Sequence, residues 1–108
     1  MIGRTAFVLA AAAVVSTAPA APVSASNPGV PASFTQDEVR IRSGPRLGAA
    51  VQGLGRRHHR VTVWCEEAGD PVTDNPYWFL LTDHTTGARG YSYSVYLALD
   101  AARPVPEC

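Results

Sequence analysis

From Glu38 onward the chain falls into short stretches in which apolar and polar residues alternate with period two, and no window sustains the 3.6-residue period of an amphipathic helix. That property confines it to β architectures, because only in a strand do successive side chains point to opposite faces. The cleanest case is Arg60–Cys65, in which Val61, Val63 and Cys65 share one face and Thr62 and Trp64 the other. Val39 and Ile41 alternate with Arg40 and Arg42 in the same way, up to the turn signal Ser43-Gly44-Pro45. A weaker strand covers Ala50–Leu54, interrupted by Gly53. Tyr77–Thr82 is apolar at every position but the last, so both of its faces are covered or one of them forms an apolar groove. Ala88–Tyr93 reads as the next strand, Ser94–Leu97 as one turn of 3₁₀ helix, and Leu97–Leu99 as a last extended piece. Between these, Glu66–Pro76 reads as a long polar loop broken by Gly69, Pro71, Asn75 and Pro76. Five short strands joined by Gly/Pro turns make an all-β domain, a small barrel or sandwich.

The N-terminal quarter has a different composition. Met1–Arg4 carries one positive charge, Thr5–Ala18 is an uncharged apolar run, and two small-residue sites follow, Ala18-Pro19-Ala20 and Val23-Ser24-Ala25. This is the three-part order of a cleavable secretory signal peptide. A membrane anchor wants ~20 apolar residues, and Pro19 and Pro22 cut the run short of that. The expected division is a signal over 1–25 and a flexible Ser/Pro/Asn/Gly-rich arm over 26–36. A single domain follows over 37–108. A domain this short is marginal without help. Its two cysteines, Cys65 and Cys108, allow one intramolecular pairing, which an oxidising compartment would preserve. Free or intermolecular thiols are the other reading.

The formal charge is zero, every basic residue is arginine, and nothing argues for nucleic acid. A catalytic site needs a nucleophile, a base and an orienting group; no G-x-S-x-G context occurs. A thiol nucleophile would require an unpaired, activated Cys65. Adjacent His58 and His59 point apart on a strand or turn, and with His84 they form no set of three or four ligands at defined spacing, so no metal site and no cofactor are expected. Arg56, Arg57 and Arg60 with the two histidines form the strongest positive cluster, read either as a solvated turn or as a contact for an anionic cell-wall polymer or lipid headgroup. Trp78, Tyr91, Tyr93 and Tyr96 crowd the last third of the chain with Tyr77 alongside, more aromatic surface than so small a core absorbs.

The runs Val39-Arg40…Ser43-Gly44-Pro45, Val51…Leu54…Arg60-Val61-Thr62-Val63, Trp78…Leu81, Gly90-Tyr91 and Ser94…Tyr96-Leu97 resemble, in order and spacing, a bacterial Src-homology-3-like domain. The similarity covers Asp37 to Leu99. It is greater still to a sub-group of short secreted actinobacterial proteins, where one Cys ends the central strand and a second follows a proline near the C-terminus, as Cys65 and Pro106-Glu107-Cys108 do here. The stretch Glu66–Tyr77 departs from the family pattern by its length. The resemblance implies a five-stranded, strongly bent β-barrel that binds without catalysing, with Trp78 and Tyr96 beside a groove for peptidoglycan peptide. Trp78, Tyr96, Tyr93 and Arg42 are the candidate ligand contacts, with Arg40 or Arg42 meeting a carboxylate. The expected partner of this secreted monomer is cell-wall peptidoglycan or, alternatively, an extracellular protein recognised by the Glu66–Tyr77 loop.

Overall fold

Seven strands pair antiparallel in one curled, half-barrel sheet: β1 (Val30–Phe34), β2 (Val39–Arg42), β3 (Val51–Gly55), β4 (Arg60–Val72), β5 (Asn75–Asp83), β6 (Arg89–Tyr93) and β7 (Leu97–Leu99). The strand order is β3-β2-β6-β5-β4-β1-β7. The computed structural model describes residues 27–100 and 103–108; the expected signal peptide, 1–25, lies outside the described residues.

The all-β class is as expected, but the strand count is seven and not five. One added strand is β1, which the sequence reading assigns to a flexible arm. Val30, Ala32 and Phe34 point into the core while Pro31 and Ser33 point out. The strand lies between β4, with Val30 opposite Val63, and β7, with Phe34 opposite Leu97. The structured domain therefore takes in part of 26–36. The other added strand is β7, foreseen only as an extended piece. The single-turn 3₁₀ helix before it, Ser94–Tyr96, is where the pattern places it.

The second difference is Glu66–Pro76, which is the far half of a long β4–β5 hairpin and not a loop. Glu66 faces Phe79, Glu67 faces Trp78 and Ala68 faces Tyr77. The register then slips before Val72 meets Asn75. Thr73 makes the tight reversal with a left-handed φ of 58°. Polar composition hid this strand because its side chains are half-buried or exposed, and its pairing comes from the partner strand.

Val30, Ala32, Phe34, Val39, Ile41, Val61, Val63, Phe79 and Leu81 form the core, with Tyr96, Leu97 and Val105 packed against it. Each comes from the inward face of an alternating strand. Gly55 belongs to this packing: a methyl group there would run into the Phe34 ring. The Cys65–Cys108 disulfide is formed. It holds the C-terminal tail beside β4 where β1 has ended: the Glu66 N–H donates to the Pro106 carbonyl (2.8 Å) and the Cys108 N–H to the Glu66 carbonyl (2.9 Å).

Candidate functional site

On β5, Phe79 and Leu81 face the core, so Trp78 points to the other side of the sheet. There it meets its cross-strand neighbour Tyr93 on β6, ring centroids 5.7 Å apart and tilted by 57°. Tyr93 in turn meets Tyr96, on the 3₁₀ turn, edge-on at 5.7 Å. The three rings lie along a groove of about 370 Å³. Gln36, Asp37 and Glu38 of the β1–β2 connection, Val39, Arg40 and Arg42 of β2, Leu47 of the β2–β3 connection and Val72 of β4 complete its lining. The four candidate contacts, Trp78, Tyr93, Tyr96 and Arg42, thus come together around one concavity.

Their roles within it differ. Trp78 and Tyr93 are only 2% and 4% exposed, and both polar tips are taken. The Trp78 indole N–H donates to the Asp70 carbonyl (2.9 Å), and the Tyr93 hydroxyl donates to the Asn75 carbonyl (2.7 Å). These two rings are a fixed floor. Arg42 is also engaged, donating to the Ala49 carbonyl at 2.9 Å. Tyr96 is half-buried; its ring is held by its backbone, whose carbonyl accepts from the Thr35 N–H at 2.9 Å and the Thr35 hydroxyl at 3.2 Å. Arg40 is exposed, and its backbone carbonyl is fixed to β6 by the Ser92 hydroxyl at 2.9 Å. Tyr96 and Arg40 are therefore the groups with reach toward a ligand.

The rim residues Gln36, Asp37, Glu38, Leu47 and Val72 escaped the sequence reading. Gln36 and Asp37 straddle its boundary between arm and domain, and no periodicity marks them or Glu38. Glu38 has a left-handed φ of 58°, an unfavourable conformation for a residue with a Cβ that places it at the groove mouth. Leu47 is set by Asp70, whose carboxylate accepts the Leu47 N–H at 3.0 Å while its own N–H donates to the Pro45 carbonyl at 3.0 Å. One aspartate so joins the β2–β3 connection to the β4 wall.

The histidines are not all solvated turn residues. His59 Nδ1 lies 2.9 Å from the carboxylate of Asp83, which is fully buried and also accepts the Thr85 N–H at 2.8 Å. This pair joins the β3–β4 turn to the β5–β6 turn. His84 Nε2 lies 2.7 Å from the Thr62 hydroxyl, and His58 is exposed. Among the described residues no three His, Cys, Asp or Glu side chains converge as metal ligands would. His59→Ala strands the Asp83 carboxylate and is expected to cost about 1–3 kcal/mol in urea unfolding. His59→Ala combined with Asp83→Ala is expected to cost less than the two single changes together. Strict additivity would show that the pair is not coupled.

On the outer surface the Tyr91 hydroxyl donates to Glu67 at 2.9 Å. Burial, and after it this hydrogen bond, pushes the phenol above its ordinary value. No family model, no curated protein and no solved structure matches the chain.

Proposed function

We propose that the chain is a secreted, non-catalytic binding module that takes an extended peptide into this groove, the peptide part of cell-wall peptidoglycan being the ligand class. The observation that carries the reading is the fixed floor of Trp78 and Tyr93, with Tyr96 against it, beneath a rim bearing both Asp37/Glu38 and Arg40/Arg42. An aromatic-lined groove suits an extended backbone, and a rim of both signs suits a ligand carrying ammonium and carboxylate groups. Tyr96 supplies stacking area, Arg40 a bidentate donor for a carboxylate, and Asp37 and Glu38 acceptors for an amine. The resemblance to bacterial Src-homology-3-like domains supports the same reading, since Trp78 and Tyr96 are the positions it assigns to the peptide site. The disulfide is compatible with export, since such bonds persist in oxidising compartments.

Co-sedimentation with purified sacculi at low salt tests this. The protein is expected in the pellet, and Tyr96→Ala and Arg40→Ala are each expected to weaken retention by about tenfold, with circular dichroism unchanged. Retention that ignores both substitutions, or none at all, rejects the reading. Trp78→Ala is unsuited to the purpose, since Trp78 is as buried as the core residues.

A further inference from the structure

The charge of the chain is unevenly placed. Val39–Cys65 contains six arginines and no acidic residue; all nine acidic residues lie outside it. The fold places the β2–β3 part of this stretch at one margin of the sheet, because that hairpin ends the strand order with β3 outermost, while Arg60–Cys65 runs in β4 inside the sheet. Arg60 is committed to Asp100, whose hydrogen bond raises its pKa further, and Arg42 to the Ala49 carbonyl. Arg56 and Arg57, in the turn leaving β3, are exposed and make no salt bridge among the described residues. The turn that presents them is held in shape. The Arg57 N–H donates to Asp37 (2.9 Å), the His59 N–H donates to the Arg56 carbonyl (2.9 Å), and His58 is fixed in a left-handed φ of 75°.

On β3 itself, the strand leading into these arginines, two large apolar side chains face solvent: Val51 (46% exposed) and Leu54 (41%). β3 pairs with β2 alone, so the other side of its backbone is an open edge among the described residues. Edge strands are normally blunted by charge, proline or distortion. Gln52 is bulged, without a partner on β2, but the strand Val51–Gly55 contains no charged residue and no proline.

We propose that the β3 edge is a strand-addition site for an extended acidic polypeptide segment, separate from the aromatic groove. Strand addition satisfies the open backbone groups, apolar residues of the incoming segment cover Val51 and Leu54, and its carboxylates meet Arg56 and Arg57. Charge selects this occupant. A second copy paired through the same edge brings the basic stretches of both chains together. An anionic lipid surface accepts the arginines and apolar side chains but leaves the strand edge without hydrogen-bond partners.

The probe is a fluorescein-labelled synthetic peptide of alternating glutamate and valine, titrated with the protein at low salt and followed by anisotropy. Binding is expected, with slowed amide exchange over residues 51–55. The lysine–valine peptide, and a glutamate–valine peptide N-methylated at alternate residues, are expected not to bind. Arg56→Glu with Arg57→Glu changes only exposed side chains and is expected to weaken binding by about tenfold, equivalent to ~1.4 kcal/mol. Tyr96→Ala, in the groove, is expected to leave this binding intact, which separates the two sites. Equal binding of the N-methylated peptide, indifference to the double substitution, or sedimentation with phosphatidylglycerol vesicles without peptide binding would each overturn the proposal.

Discussion

Replacing Cys65 and Cys108 together with serine is expected to lower the unfolding free energy by roughly 4 kcal/mol, the chain-entropy value for a loop of this length. The two cysteines are 43 positions apart, so the bridge closes more than half of the described chain. Single domains have roughly 5–15 kcal/mol in all, and a domain this small lies near the lower limit. The bridge also anchors Val105 against the core and the tail against Glu66. Urea unfolding followed by tryptophan fluorescence, with and without reductant, reads the effect. The midpoint is expected to fall sharply in both the reduced protein and the double-serine variant. An unchanged midpoint would show that the sheet is self-sufficient and the tail an appendage.

Phe34→Ala is expected to cost about 3–5 kcal/mol, the range for truncating a buried aromatic. Phe34 is 2% exposed and sits where β1, β7 and the β3–β4 turn converge: it pairs with Leu97, bridges to Arg57, and its ring fills the space left by Gly55. If the segment before Asp37 were the flexible arm its composition suggests, the same substitution would change nothing measurable. Chemical denaturation of the variant therefore decides whether β1 is part of the cooperative unit. Gly55→Ala offers a second route to the same junction by overpacking it, at an expected cost of about 1–3 kcal/mol.

The contrast between β1 and β4 shows where local pattern stops being informative. Arg60–Cys65 is legible because every inward position is apolar, two of the three being β-branched, and every outward one is polar or aromatic. β1 has the same inward-outward order in Val30, Ala32 and Phe34, but Ala32 is small and Pro31 lacks an N–H. Proline argues against an interior strand. The strand tolerates it at its end, where the Pro31 carbonyl still accepts the Asp100 N–H at 2.8 Å. The far half of β4 has no pattern of its own; it is a strand because Trp78 and its neighbours hold it there, the Trp78 indole reaching the Asp70 carbonyl.

The candidate site divides in the same way. The crowding of Trp78, Tyr93 and Tyr96 into the last third of the chain is legible in the sequence; their meeting around one groove comes from the fold. That stacking would fall mainly to Tyr96 is not legible, because only the fold shows that the polar tips of Trp78 and Tyr93 are already used. The His59–Asp83 pair joins residues 24 apart on different turns, a contact that no strand periodicity encodes.

Titrating ¹⁵N-labelled protein with a soluble peptidoglycan stem peptide maps the binding surface directly. Chemical-shift changes are expected to cluster at Gln36–Arg42, Leu47, Val72, Tyr93 and Tyr96 and to vanish in Tyr96→Ala. Changes confined to residues away from these, or none at millimolar peptide, would contradict the assignment of the groove as the peptide site.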